Sequence, residues 1–433
     1  GDGNLLPGVH YDDRDPDQTR RAHAAADAII KAALKRSGSV TGEHGVGIEK
    51  LHVLPWQIDA ETSRLQQGIK DLFDPAGLLN PGKLLPDPEA GYAALPDLPA
   101  TVDFRWDSLT VTAPSDARVA DIQTEALARG FWIPIGVLSE GDGPGLARAT
   151  NVGALVENLV TGPAFCAAGK VRDYLLESWA ETGDGRLFHS GAPVFKNVAG
   201  YDLTHMVCGS GRVFAVPRAA TFQLRPAPAH FGQFSIGLPR NNRSDEVLER
   251  ICGCLAQRDD SLGGAVLVVD ESAEGGQSPV HVLVPGRDRD WDLGRLGAQL
   301  KDLAGPGATV ESEVLPFGEG GDFLAGGALP AWSQESPHWS SLARPVGGPA
   351  GRPFLPEAGG RWIWQAAPRL LWTPDTIEAP AGWYRDEVFR NGRIVPPGPP
   401  DEGVPLDLLA GLKKLFDPHG DLEHPAWLEA RDE

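Results

Sequence analysis

The stretch that most constrains this chain runs from residue 194 to residue 216 and reads VFKNVAGYDLTHMVCGSGRVFAV. Apolar, strand-like ends flank a Lys-Asn pair and two groups of glycines, a composition unfavourable for a helix. Gly200 and Gly209 permit positive φ and a close approach of the main chain, and Lys196 and Asn197 both offer hydrogen-bond donors. The stretch therefore predicts backbone wrapped around a flat ring or a phosphate; the alternative is a plain loop between two strands.

A second group of glycines and polar residues lies upstream, in residues 149–176, which read ATNVGALVENLVTGPAFCAAGKVRDYLL. In chain order, TNVG, TGP, GKVRD, KNVAGYD and GS resemble the second half of the FAD-binding PCMH-type domain of the vanillyl-alcohol-oxidase and p-cresol-methylhydroxylase superfamily. Within it, they resemble most the accessory FAD-binding subunit of glycolate oxidase. The resemblance implies that FAD is held by Thr150, Gly153, Asn158, Thr161, Gly162, Gly169, Arg172, Lys196, Asn197, Gly200, Tyr201, Asp202 and Gly209.

The first 87 residues contain GDGN, GEHGVG and FDPAGLLNPGK in that order. This order resembles the C-terminal domain of FAD-linked oxidases, the family of the glycolate oxidase catalytic subunit and of D-2-hydroxyglutarate and D-lactate dehydrogenases. The resemblance implies that His44 is the general base, Glu43 a ligand of a divalent metal and Asn80 part of the cofactor site.

Two further metal-ligand histidines of that family are missing from this chain. One would precede the first residue, and the position of the other is Leu6, with His10 four residues later as a displaced substitute. Because metal geometry tolerates little displacement, we expect the metal site to be lost. The alternative for Glu43 and His44 is a loop held by its flanking glycines.

The composition limits the classes of partner that the chain is expected to bind and the compartment in which it is expected to lie. A formal charge of -20 over 433 residues argues against nucleic acid and anionic membranes as partners. The chain has neither an apolar run long enough to cross a bilayer nor a basic and apolar leader, which predicts a cytoplasmic protein. Its four cysteines form no CxxC ladder, so an iron-sulfur cluster would come from a partner subunit. The N-terminus, a glycine inside a motif, is expected to be a fragment boundary.

The predicted fold class is α+β, a partial PCMH-type domain with ferredoxin-like cap domains. We expect an FAD-linked oxidase C-terminal domain over residues 1–87, a Pro- and Ala-rich linker over 88–104, the PCMH-type second half over 105–228 and an accessory-subunit cap over 229–433. The pyrophosphate-binding loop of the superfamily would precede residue 105, where no such sequence occurs. A fusion of two adjacent subunits would give this order.

The periodicity predicts several elements. These are a helix over Thr19 to Lys35, a strand-helix-strand unit over residues 108–137, a hairpin over 175–191, a β-α-β-β-α-β order after 229 and a tryptophan-rich strand pair in RWIWQAAPRLLW. An internal repeat aligns LKKLFDPHGDL at residues 412–422 with IKDLFDPAGLL at 69–79. The same terminal segment thus occurs twice, once in each half of the chain. This favours two related subunits joined in tandem.

Three functions remain open at this point. The first is an FAD-dependent oxidoreductase that converts a 2-hydroxy acid, such as glycolate or D-lactate, into the 2-oxo acid with hydride transfer to flavin. The second is a non-catalytic accessory subunit that packs against a flavoprotein subunit and an iron-sulfur subunit. The third is a degenerate, inactive fusion.

Overall fold

The computed structural model describes the chain in segments. These are residues 4–134, 151–158, 171–227, 230–239, 266–270, 277–286, 293–316, 339–343, 361–365, 370–374, 384–390, 393–395 and 406–422, with helical positions 247, 250, 251 and 254. The described α-helices are α1 Pro16–Leu34, α2 Ala60–Phe73, α3 Val119–Leu127, α4 Val152–Asn158, α5 Leu203–Val207, α6 Leu293–Ala304 and α7 Leu406–Phe416.

The first lobe, residues 4–84, is built on α1 and α2. The Asp15 side chain caps α1 by accepting from the N–H groups of Asp17 and Gln18, which starts the helix close to its predicted position. Asp59 caps α2 in the same way through the N–H of Thr62, at 2.9 Å. Between the end of α2 and Asp103 the chain has no helix or strand.

The second lobe is a five-stranded antiparallel sheet with the order β1-β2-β6-β4-β5. Its strands are β1 Asp103–Arg105, β2 Thr110–Pro114, β4 Leu175–Glu181, β5 Leu187–Gly191 and β6 Val216–Gln223. A two-stranded ribbon, β3 Phe131–Trp132 with β7 Arg225–Pro226, lies beside it. The β2-α3-β3 unit and the β4-β5 hairpin confirm the predicted elements.

The third part is a nine-stranded antiparallel sheet with the order β11-β8-β10-β9-β13-β14-β12-β15-β16. Its strands are β8 His230–Pro239, β9 Val266–Asp270, β10 Gln277–Gly286, β11 Thr309–Pro316, β12 Trp339–Ala343, β13 Arg361–Gln365, β14 Leu370–Pro374, β15 Tyr384–Arg390 and β16 Arg393–Val395. The first four follow the expected ferredoxin-like order. The tryptophan-rich pair is β13 with β14, in which Ile363 lies opposite Trp372.

One expectation about the 194–216 stretch was wrong. Residues 203–207 form the one-turn helix α5, although the glycines around them argued against a helix. Asp202 makes this turn possible, because its carboxylate caps the helix through the N–H of His205 at 3.0 Å. Leu203 and Val207 are then buried in the core, so tertiary packing outweighs the weak local propensity.

The two lobes share one hydrophobic cluster. Leu65 of α2 packs with Phe188 of β5, Leu203 of α5 and Phe416 of α7, all of them at most 1% exposed. A second cluster buries Ala199 among first-lobe residues, including Val40 and Leu54. The central stretch is thus folded against the first lobe.

Candidate functional site

A cavity of about 220 Å³ lies where the first lobe meets the second. One wall is α2, which contributes Thr62 and Gln66. The opposite wall is the end of β5, from His189 to Gly191, and the floor is the main chain from Val194 to His205. The predicted ligand-binding stretch therefore lines a cavity, to which the oxidase-like first lobe contributes Gln57, Ile58, Thr62 and Gln66.

The start of α2 fixes the position of β5. Asp59 Oδ2 accepts from the main-chain N–H of His189 at 3.2 Å, and the Thr62 hydroxyl donates to the His189 carbonyl at 2.7 Å. Asp59 and Thr62 are both buried, so these bonds are shielded from water. The helix cap thus also sets the spacing between the two walls.

Two polar atoms of the cavity wall lack a hydrogen-bond partner within the described part of the chain. They are Gln66 Oε1 and Thr204 Oγ1, in side chains that are 1% and 2% exposed. A buried acceptor without a partner costs about 1–3 kcal/mol, so proteins rarely keep one without a reason. Both residues line the cavity, so a ligand that displaces their neighbours enough to reach these two buried atoms would supply the missing bonds.

His189 of the cavity wall is paired with Glu177, a buried carboxylate behind it. His189 Nε2 lies 3.0 Å from Glu177 Oε2, and the Thr221 hydroxyl donates to the other oxygen of Glu177 at 2.7 Å. The His189 ring packs on Trp179 with a centroid distance of 4.5 Å. A carboxylate that holds one ring nitrogen fixes the orientation of the imidazole, which is the arrangement of an oriented general base.

The KNVAGYD segment is bonded to the first lobe as well as to the cavity. Lys196 Nζ lies 2.9 Å from Glu43 Oε1, and Ser39 Oγ donates to Asn197 Oδ1 at 2.7 Å. Gly200 has φ +97°, and a Cβ there would lie 2.5 Å from Gln66 Oε1. Glycine is required at residue 200 because the backbone is left-handed and Gln66 lies directly against it.

The far end of the cavity is formed by Tyr201, Asp202 and His205. The His205 ring has two acceptors, since Nδ1 faces Asp202 Oδ2 and Nε2 lies 2.6 Å from the carbonyl oxygen of Arg172. Only the imidazolium donates from both nitrogens. Accordingly, the hydrogen bond to Asp202 raises the pKa of His205 against the effect of burial. Burial acts to raise the pKa of Asp202, but the hydrogen bonds from His205 outweigh it and lower that pKa.

Other predicted FAD residues lie outside the cavity wall. Gly153 packs α4 against Ser115, and the N–H of Gly209 donates to Val156 at 2.8 Å. Arg172 contributes its carbonyl to His205, and Asn80 contacts Lys83 at 3.4 Å. Thr150, Thr161, Gly162 and Gly169 lie outside the described residues, as does the side chain of Asn158.

The predicted catalytic pair is at the contact between the lobes. The Glu43 carboxylate is half-exposed and bonded to Lys196, and the hydrogen bond from that ammonium lowers the pKa of Glu43. His44 is exposed beside it. Among the residues that the structure describes, no three His, Cys, Asp or Glu side chains are grouped to hold a metal. The roles of Glu43 and His44 stay predictions.

Gln66, His189 and Thr204 were not predicted from the sequence. Their importance comes from contacts that join residues more than a hundred positions apart, such as Thr62 with His189. One sequence signal exists for Gln66. In the internal repeat it aligns with Leu409, so a polar residue replaces an apolar one at a helical position that is buried in the first copy.

Comparisons with known proteins agree with this architecture. The carbohydrate oxidase from Microdochium nivale has a similar fold, with a TM-score of 0.51 at 14% identity over 76% of this chain and 80% of that chain. The chain thus has the expected α+β fold, which it shares with that oxidase. More particularly, residues 1–84 match the family model for FAD linked oxidases, C-terminal domain.

Curated relatives match the same N-terminal part. Glycolate oxidase subunit GlcD of Escherichia coli (strain K12) is 37% identical over 86 residues, and the probable mitochondrial D-lactate dehydrogenase of Danio rerio is 35% identical over 85. Each match covers 20% of this chain and 17% of the relative, so the chain spans about a sixth of their length. As expected, residues 1–84 are similar to the C-terminal domain of FAD-linked oxidases, and this similarity supports FAD as the cofactor. None of the helices in the described segments is long and apolar enough to span a membrane.

Proposed function

We propose that the cavity between the lobes holds the ring end of FAD and that the chain oxidises a small 2-hydroxy acid, such as glycolate or D-lactate. The observation that carries this proposal is the pair of unsatisfied atoms, Gln66 Oε1 and Thr204 Oγ1, in the cavity wall. The similarity of residues 1–84 to FAD-linked oxidases supports it.

The residues present fit the ring of the cofactor. The pyrimidine edge of an isoalloxazine carries an N–H donor between carbonyl acceptors, which complements the Gln66 carbonyl and the Thr204 hydroxyl. A cavity of about 220 Å³ is smaller than the 300–1,000 Å³ of pockets that enclose a drug-sized ligand. It therefore has room for no more than the ring end of the cofactor, and the adenine and pyrophosphate would bind elsewhere.

Bound FAD would supply the two-electron chemistry of the oxidation, as acceptor of the hydride. The chain has to remove the hydroxyl proton. His189 lines the cavity, and Glu177 fixes its ring, so we propose His189 as the proton acceptor. His44, expected from the motif, is the alternative at the edge of the interface. Lys196 provides a cation in the cavity wall for the substrate carboxylate.

One observation favours the accessory-subunit alternative. Lys196, Asn197 and Gly200 all contact the first lobe, through Glu43, Ser39 and Gln66. A segment used in this way can serve to join two lobes without holding a cofactor. In that case the chain would bind a flavoprotein subunit and an iron-sulfur subunit and would not itself oxidise a substrate.

A reconstitution experiment tests the proposal. The purified chain is incubated with FAD, passed through a desalting column and examined by visible spectroscopy, and glycolate or D-lactate is then added without oxygen. We expect a retained flavin spectrum that bleaches with one of the two acids. A colourless protein would contradict the proposal, and a coloured protein that neither acid bleaches would leave the accessory role.

Two histidine variants then assign the proton acceptor. His189→Gln is expected to retain the flavin and to slow bleaching at least tenfold, whereas His44→Gln leaves the rate within about twofold. The reverse result would assign the role to His44. Thr221→Val is a useful control, because it removes one hydrogen bond to Glu177 without touching the imidazole.

A further inference from the structure

The two copies of the internal repeat lie against each other in the fold. The first copy forms the second half of α2 and the turn after it, and the second copy forms the end of α7 and its turn. The aligned segments, residues 68–79 and 411–422, share Gly-x-Lys-x-Leu-Phe-Asp-Pro-x-Gly. The contact between α2 and α7 thus joins two versions of one sequence.

The contact is reciprocal. A methyl group on Gly68 would lie 2.5 Å from Leu415 Cδ1, and a methyl group on Gly411 would lie 2.5 Å from Leu72 Cδ1. In the alignment Gly68 corresponds to Gly411 and Leu72 to Leu415. Each leucine therefore packs on the glycine of the other copy, which is the signature of a two-fold, isologous interface.

The two copies also end in the same way. Lys70 pairs with Asp74, and Lys413 pairs with Asp417. Asp74 accepts from two main-chain N–H groups of the next turn at 2.9 and 2.8 Å, and Asp417 does the same at 2.9 and 3.1 Å. The two-fold relation therefore extends through both helix ends.

Outside the contact the symmetry is lost. Phe416 is fully buried against Phe188 and Phe214 of the second lobe, whereas its counterpart Phe73 is 51% exposed. The symmetric part of the repeat is thus the helix-helix contact, and the remaining surface of each copy differs with its own surroundings. A symmetric contact with different surroundings on each side is expected of an interface between two related subunits.

We propose that the α2-α7 contact is a subunit interface retained within one chain. Residues 1–84 also contact residues 188–203, but the α2-α7 contact is the one on which their association with the rest of the chain depends, and the connection over residues 85–102 is dispensable for it. The partner that α7 fits is accordingly the terminal helix of an FAD-linked oxidase domain on a separate chain. This proposal concerns assembly and does not depend on flavin binding.

Cleavage of the folded, full-length chain tests the interface. A protease site is inserted between Ala100 and Thr101, both exposed, and the purified protein is cut and run on a sizing column at low micromolar concentration. We expect the two pieces to elute together at the position of the uncut chain. Separate elution after complete cutting would overturn the proposal.

Substitution of Gly411, one of the two glycines on which a leucine of the other copy packs, tests whether the α2-α7 contact holds the pieces together. Gly411→Leu is expected to abolish co-elution after cutting, because the added side chain overlaps Leu72. Combining it with Leu72→Ala is expected to restore co-elution, which shows that the single variant failed at the interface and not in folding. Gly91→Leu, at a glycine with open space around it, should have no effect. Co-elution that survives Gly411→Leu would assign the association to another contact and overturn the proposal.

Discussion

At the scale of single residues, Gln66 determines whether the cavity is a binding site. Its carbonyl oxygen is buried without a partner among the residues that the structure describes, and replacement by methionine keeps the length of the side chain while removing that acceptor. Without flavin, Gln66→Met should match or exceed the wild type in thermal stability, because an unpaired buried oxygen is lost. With flavin, we expect about tenfold weaker binding, or about 1.4 kcal/mol, measured by fluorescence titration.

The neighbouring Gln67 supplies the control for this prediction. It bonds to Asp71 at 2.7 Å and lies outside the cavity, so Gln67→Met should leave flavin affinity unchanged. If Gln66→Met lowered the stability of the flavin-free protein and left flavin affinity intact, the unpaired oxygen would have a structural role and the ring-binding proposal would lose its main support.

His205 makes the stability of the second lobe depend on pH. Because the pKa of His205 is raised in the fold, its contribution is fully present below the unfolded value, about 6.5, and disappears as pH rises through the folded value. The lowered pKa of Asp202 keeps its own contribution present above about pH 4. We expect His205→Gln to reduce the melting temperature most between pH 5 and about 6.5 and progressively less above that range.

Melting curves of the wild type and His205→Gln from pH 5 to pH 9 check this dependence. Arg172 is the other charged residue beside the ring, and it opposes protonation. A difference in melting temperature that stays constant across the range would mean that His205 is neutral in the folded chain. Asp202→Asn should reproduce the loss, since it removes the charge that stabilises the imidazolium.

At the scale of elements, Gly183 is where the β4-β5 turn meets α7. Its N–H donates to the Phe416 carbonyl at 2.8 Å, and a Cβ there would lie 2.9 Å from Asp417 Cα, a main-chain atom that cannot rotate away. Gly183→Ala should therefore destabilise the fold by about 2 kcal/mol in urea unfolding. Gly91→Ala, in open space, is the matched control, and equal midpoints for the two variants would contradict the packing argument.

The elements show what the sequence could predict. The β4-β5 hairpin was predictable because its TGDG turn and alternating strands are local signals, and the same holds for α1 and for the tryptophan-rich strand pair. The helix α5 was not predicted, because its stability comes from burial of Leu203 and Val207 in a core shared by distant segments. For the cavity, the sequence indicated only the residues between 196 and 202. It gave no indication of Gln66, because the contribution of Gln66 depends on a contact between the lobes.

At the scale of the whole molecule, the shared core should make the two lobes unfold together. The cluster joins Leu65 from the first lobe to Ala180 and Phe188 of the sheet and to Phe416 near the end of the described chain. Opening of α2 therefore exposes the apolar side of the β4-β5 hairpin. We expect the slowest-exchanging amides of α2 and of β4 to share one opening free energy and one denaturant dependence in native-state hydrogen exchange.

Leu65→Ala tests this coupling, because it creates a cavity inside the cluster. Both sets of amides should lose about 3 kcal/mol of protection together, although the substitution lies in only one lobe. Leu78→Ala is the control, since Leu78 is 77% exposed and contributes nothing to the cluster. If Leu65→Ala accelerated exchange in α2 alone, the first lobe would open independently of the sheet. The α2-α7 contact would then join two separately stable bodies and would not be part of one shared core.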